Sequence, residues 1–243
     1  MDDLCFMPAT EAAALIREKK LSPVELTSAV LARIEALELR VNAFAALAAD
    51  KAMADAQRAE AELGRSDGEL GPLHGIPVTI KDLASVEGLP FERGSNIEAG
   101  AIGTEDAPFV WRLRQAGAIV LGKTTTSEFG WKGVSQSPRT GITHNPWKEG
   151  YNAGASSAGA GAAAAAGYGP LHQGSDGAGS IRMPSHFCGI FGIKPSFGRV
   201  PNAPVANGDQ TSHIGPMTRT VADSALMLQV MSGPHPLDHY SLE

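Results

Sequence analysis

A lysine and two serines carry the chemistry this chain could perform. Lys81 closes the apolar run Ile76-Pro77-Val78-Thr79-Ile80-Lys81. Ser156 lies in a turn of small residues, Asn152-Ala153-Gly154-Ala155-Ser156-Ser157-Ala158-Gly159, and Ser180 follows Gly177-Ala178-Gly179. A lysine held among apolar side chains loses the solvation of its ammonium, so its pKa falls and a neutral amine becomes available as a base. A serine hydroxyl is a poor nucleophile until such a base removes its proton. Successive N–H groups in a glycine turn can converge on one point and hold the oxyanion of a tetrahedral intermediate. Lys81, Ser156 and Ser180 thus form a candidate acyl-transfer site with no histidine in it. Each residue alone also has an ordinary reading, since a lysine after an apolar run often marks the exposed end of a strand and serines in glycine-rich turns often only satisfy backbone groups.

Other motifs fail on context. Gly117-Ala118-Ile119-Val120-Leu121-Gly122-Lys123-Thr124 matches the phosphate-loop pattern, but its interior reads as a buried strand and Thr124-Thr125-Thr126 is a poor helix start. Gly159-Ala160-Gly161-Ala162-Ala163-Ala164 fits a relaxed dinucleotide fingerprint with no strand before it. His186 is the histidine nearest Ser180 in sequence and reads as packed beside Phe187 and Cys188; Pro236 interrupts the helical spacing of His235 and His239, so no metal site and no cofactor is read. Cys5 and Cys188 read as free core thiols.

The elements that must position these residues follow from periodicity and caps. Ser22-Pro23-Val24-Glu25 is a helix start, and the spacing after it predicts a helix over 23–38, preceded by a shorter one over 10–19. Composition alone predicts a third helix over 44–63, followed by a polar linker over 65–72. Strands are expected at 76–81, 118–121, 171–173 and 190–193, with helices over 106–116 and 221–231. The alanine-rich run over 158–167 reads as a buried helix whose N-terminus abuts Ser156 and Ser157, where free N–H groups favour negative charge. Strand, helix, strand in that order predicts an α/β fold with a largely parallel sheet. The division expected is a helical N-terminal segment, 1–70, packing on an α/β catalytic core, 71–243.

The totals exclude several function classes. With 20 Lys plus Arg against 26 Asp plus Glu, the formal charge is -6 and no basic run is present, which argues against nucleic acid or an anionic membrane surface as partner. No stretch approaches the length of a membrane span, so a soluble, cytoplasmic protein is expected. Twenty-eight glycines and sixteen prolines suit a packed fold with many sharp turns.

Three segments, Gly75-Ile76-Pro77-Val78-Thr79-Ile80-Lys81-Asp82, Gly154-Ala155-Ser156-Ser157-Ala158-Gly159 and Gly174-Ser175-Asp176-Gly177-Ala178-Gly179-Ser180-Ile181-Arg182-Met183-Pro184, together closely resemble the amidase signature family. The 75 residues from Lys81 to Ser156 and the 24 from Ser156 to Ser180 suit that family as well. The resemblance implies Ser180 as nucleophile, Ser156 as a bridging serine on a cis peptide bond and Lys81 as base. It also implies an oxyanion hole from the N–H groups of Gly177, Ala178, Gly179 and Ser180, with Ser157, Asp176 and Arg182 supporting the turns. The activity implied is hydrolysis of a small-molecule carboxylic amide through an acyl-enzyme. Ala155, Ala158 and Ala178 stand where the family usually has glycine, and the site is expected to tolerate them. Family members continue beyond residue 243 with further strands and helices, so the chain reads as truncated on its C-terminal side, and a homo-oligomer or a complementary C-terminal chain becomes an expected partner. Two alternatives stay open: a catalytically incompetent fragment or partner-dependent subunit, and, among the latter, a glutaminase-like subunit of a tRNA-dependent amidotransferase.

Overall fold

The computed structural model describes residues 2–65, 70–203 and 210–243. In chain order its elements are helices α1 (Asp2–Phe6), α2 (Ala9–Arg17) and α3 (Pro23–Val41), strand β1 (Phe44–Leu47), α4 (Ala49–Leu63), β2 (Pro77–Lys81), α5 (Pro108–Gln115) and β3 (Ile119–Thr124). The short strands β4 (Gln136–Ser137), β5 (Gly141–Ile142), β6 (His144–Asn145) and β7 (Lys148–Asn152) form two hairpins. Then come α6 (Ala158–Ala166), β8 (Leu171–Asp176), α7 (Arg182–Cys188), β9 (Phe191–Gly192), β10 (His213–Thr218) and α8 (Val221–Met231).

The start of α3 is where the capping signal puts it. Ser22 Oγ accepts the N–H groups of Val24 and Glu25 at 3.0 and 3.2 Å, and Pro23 supplies a preset φ. The expected third helix starts five residues late, at Ala49 rather than Phe44, and ends at Leu63 as expected. Asn42 ends α3 in the left-handed conformation, the Phe44 N–H goes to Glu38 Oε1 at 2.7 Å, and Phe44–Leu47 pairs as a strand with β3. Pairing at an open sheet edge outweighs the helix preference of Phe-Ala-Ala-Leu, and the helix begins only at Ala49. The first 70 residues therefore contribute a strand to the main sheet as well as helices. Of the linker over 65–72, residues 66–69 lie outside the described residues.

Among the described residues the main sheet has six strands in the order β1-β3-β2-β8-β10-β9. Its centre, β3-β2-β8, is parallel, and β1 and β10 run against it. Because β9 is antiparallel to β10, four of the six strands share one direction. Strand β10 is not among the expected ones; its Gly-Pro-Met-Thr sequence offers little β pattern, but it pairs with β8 over six residues. The main hydrophobic core runs from α2 and α3 through β2 and β3 to α8.

Helix α6 packs across β2, β3, β8 and β10 and is buried along nearly its whole length, as its uniform Gly/Ala sequence requires. Its glycines permit that approach: a Cβ at Gly159 would lie 2.2 Å from the Ala43 carbonyl oxygen and 2.4 Å from the Thr125 nitrogen. The helix N-terminus is thereby pressed against the ends of β1 and β3.

Candidate active site

Lys81 is the last residue of β2, and the sheet opens beside it. β2 stays paired with β3 as far as Lys81 and Thr124, but its pairing with β8 stops at Thr79 and His172. Beyond that point the Gln173 side chain bridges the gap, its Oε1 accepting the Lys81 N–H at 3.0 Å. Strands that part at their carboxyl ends leave a crevice, the usual place for a ligand in an α/β sheet.

The Lys81 side chain is fully buried, and its Nζ donates to Ser156 Oγ at 2.8 Å and to Ser175 Oγ at 3.0 Å. Burial pushes its pKa down to about 7, with the negative charge of Asp176 pulling partly the other way. The lysine is thus a buried group poised between its two protonation states, not the exposed strand end of the ordinary reading.

Ser156 reaches Lys81 because of how its turn is built. The Ala155–Ser156 peptide bond is cis. Gly154 has φ +78°, and a Cβ there would lie 2.5 Å from Pro184 Cα, so only glycine fits. Ser157 is the N-cap residue of α6 and ties three segments together. Its N–H donates to the Ser180 carbonyl at 3.2 Å, its Oγ donates to the Ser175 carbonyl at 3.1 Å, and that Oγ accepts the Ser175 N–H at 3.2 Å. The serine turn, the end of β8 and the Ser180 turn are therefore one hydrogen-bonded unit.

Asp176, the last residue of β8, organises the Ser180 turn. Its Oδ1 accepts the Gly179 N–H at 2.6 Å, and its Oδ2 accepts the N–H groups of Ile181 and Arg182 at 3.2 and 3.3 Å. The Arg182 guanidinium closes a two-point pair with both carboxylate oxygens at 2.9 and 3.0 Å. Burial alone would raise the Asp176 pKa, but Arg182 and these N–H groups hold it well below the usual carboxylate range. The turn needs Gly179 at φ +113°.

Ser180, 9% exposed, lines a cavity of ≈ 390 Å³ together with Ser156, Ser175, Gly177 and Ala178. Among the described residues the N–H groups of Gly177, Ala178 and Ser180 meet no acceptor. That of Gly179 donates to Asp176 Oδ1 instead. A further cavity at the far end of α6, lined by Phe6, Leu37 and Trp147 among others, holds none of these groups.

Ser175 and Gln173 are partners of Lys81 that sequence reasoning missed. Period-two alternation puts both on one face of β8, but the expected strand stops at Gln173. Ala155, Ala158 and Ala178 all have negative φ, since among the described residues the non-glycine ones with positive φ are Lys19, Asn42, Arg93 and Phe129. The apparent phosphate loop is strand β3, with Lys123 Nζ bound to Asp82 Oδ1 at 3.0 Å and to the Pro90 carbonyl at 2.8 Å. His186 is exposed, its ring edge against Phe187, rather than packed as expected. Asp238 donates its N–H to the His235 carbonyl in a turn.

The family model for amidases matches residues 25–243 of this chain. The chain belongs to the amidase family. It is 47% identical to the acylamidase of Rhodococcus erythropolis over 99% of its own length and 50% of that protein. It is 42% identical to one component of the glutamyl-tRNA(Gln) amidotransferase of Chloroflexus aurantiacus, over 98% of its length and 49% of that component. A solved bacterial aryl acylamidase of the amidase signature family superposes with TM-score 0.90 at 30% identity, over 98% of this chain and 50% of that one. The chain spans about half the length of the curated amidase-family relatives it matches. Among the described residues, no helix is long and apolar enough to cross a membrane.

Proposed function

We propose that this chain hydrolyses a carboxylic amide through an acyl-enzyme on Ser180. The observation that carries the reading is the contact between Lys81 Nζ and Ser156 Oγ inside a buried site. With a pKa near 7, Lys81 is substantially neutral at physiological pH and can accept the Ser156 proton as Ser156 takes that of Ser180. Ser180 Oγ then adds to the amide carbonyl, and the oxyanion forms against the N–H groups of Gly177, Ala178 and Ser180. Collapse of the tetrahedral intermediate breaks the C–N bond. The proton held by Lys81 returns through Ser156 to the nitrogen, which leaves as an amine. Water enters by the reverse route, giving its proton to the same relay and releasing the acid and free Ser180. Asp176, Arg182 and Ser157 hold the turns and take no proton.

The family's acylamidase and aryl acylamidase members support this substrate class, and the test is turnover of a simple aryl amide. Activity should vanish in Ser180→Ala and fall by about 10²- to 10⁴-fold in Lys81→Ala. Full activity in both variants would sink the proposal.

The likeness to amidotransferase components favours a second reading, in which the same chemistry releases ammonia from glutamine within a complex with partner chains. Ammonia release from glutamine that exceeds aryl-amide turnover would select it. A chain that turns over neither substrate and associates tightly with a complementary chain would instead be a partner-dependent subunit.

A further inference from the structure

Asp82 and Lys123 form a buried ion pair that the proposed reaction does not use. Their side chains are 1% and 0% exposed, and Lys123 Nζ donates to Asp82 Oδ1 at 3.0 Å and to the Pro90 carbonyl at 2.8 Å. Burial pushes the Lys123 pKa down and the Asp82 pKa up, and their mutual attraction opposes both shifts. Taking two charges out of water is so costly that such a pair adds little stability over apolar side chains of the same volume. Stability is therefore a poor account of its presence.

The pair sits where the base is held. Asp82 directly follows Lys81, and its N–H donates to the Thr124 carbonyl at 3.0 Å, one step past the paired end of β2 and β3. Lys123 precedes Thr124, the register partner of Lys81. From this strand end the pair reaches the loop that follows. Asp82 Oδ2 accepts the Gly94 N–H at 3.4 Å, and Lys123 Nζ lies 5.2 Å from the centre of the Phe91 ring. Arg93, within the same loop, accepts the Phe129 N–H at its carbonyl at 2.9 Å. The next residue, Gly130, has φ +74° and packs so closely that a Cβ on it would lie 3.3 Å from Ser156 Oγ. One buried pair thus ties the strand end that carries Lys81 to the segment that backs Ser156.

We infer that Asp82 and Lys123 are positioning residues that hold Lys81 Nζ and Ser156 Oγ in hydrogen-bond contact. The inference deepens the amide-hydrolase reading and rests on it for the step that the contact serves. Neither side chain takes a proton from the relay. A shift of about 1 Å in the placement of reacting groups can cost about a hundredfold in rate, so a brace here matters more to turnover than to folding.

The test removes both charges at once. Asp82→Leu/Lys123→Met puts apolar side chains of similar size in place of the pair and leaves the net charge unchanged. Asp176, the charge that acts on Lys81 from β8, stays in place, and Arg139, the other cation felt by Asp82, keeps its partner Glu92 at 2.6 and 2.7 Å. Two quantities are measured: steady-state kinetics on an aryl amide, and the titration of Lys81 by NMR of 13C-lysine-labelled protein, its signal assigned by its absence from Lys81→Met. The double variant should melt no lower than the native chain and lose about tenfold or more in kcat at nearly unchanged KM. Lys81, released from its buried contact, should titrate above its native value of about 7, toward the ordinary 10.5. A folded double variant whose Lys81 titrates as in the native chain overturns the inference, whatever its kcat. A native chain that hydrolyses no amide sinks the hydrolase reading, and the inference then stands or falls on the titration alone. Asp82→Asn/Lys123→Met, which keeps both side-chain shapes, is read in the same way where the first double variant does not fold.

Discussion

Asp176 Oδ1 accepts the N–H of Gly179 at 2.6 Å, so the residue immediately before the candidate nucleophile is held by a carboxylate and not by substrate. The same carboxylate pairs with Arg182 and lends negative charge to the surroundings of Lys81. Asp176→Asn should therefore act twice. Loss of the Arg182 pair loosens the Ser180 turn and should lower kcat by about tenfold or more. Removing the charge that raises the Lys81 pKa should also move the acid limb of the kcat/KM profile to lower pH. A pH profile that keeps its wild-type limb would show that Asp176 acts only on the turn.

The native protein should lose kcat/KM below about pH 7, where Lys81 becomes protonated and can no longer take a proton. Stability should follow the same group. Unfolded, Lys81 titrates at 10.5 and folded at about 7, so between these values the unfolded chain binds more protons. Stability conferred by this residue therefore rises with pH across that window and is lowest below it. Lys81→Met should flatten the rise in Tm between pH 7 and 10.5 measured by calorimetry.

Ser175→Ala removes one of the two hydroxyls that position Lys81 Nζ. The expected outcome is a fall in kcat of about tenfold with KM nearly unchanged, and recovery in Ser175→Thr. Steady-state kinetics on one aryl amide separates this from a general loss of fold, which would lower the active fraction without rescue by threonine.

Gly159→Ala should destabilise strongly despite being the mildest change of side chain. The added Cβ would meet backbone at Ala43 and Thr125, flanking β1 and β3, at 2.2 to 2.4 Å, where no side chain can move aside. A loss of about 1–3 kcal/mol or more is expected, read as a lower urea midpoint. Ala158→Gly, in the same helix but at ordinary helical φ, should cost only about 0.5–1 kcal/mol and bring no gain in rate.

Much of this site is legible in the sequence because small residues around reactive ones are costly to keep and so carry information. Lys81, Ser156 and Ser180 stand out by type and context, and the buried helix after Ser157 follows from alanine composition. What escapes does so for physical reasons. Phe44–Leu47 becomes a strand through pairing with β3, a contact no local propensity contains. Ser175 escapes because the strand carrying it runs on to Asp176 through glycine and polar residues. The Gly179 N–H finds its partner in Asp176, only three residues away.

In the proposed reaction Ser180 is acylated with Lys81 as the base. Its most direct measurement is peptide mass spectrometry of the chain after rapid acid quenching from a slowly deacylated aryl amide, across about pH 5 to 9. An acyl group is expected on Ser180, formed faster as pH rises through about 7 and lost in Lys81→Ala. An acyl group on another residue, or acylation of Ser180 that proceeds at the native rate without Lys81, would contradict it.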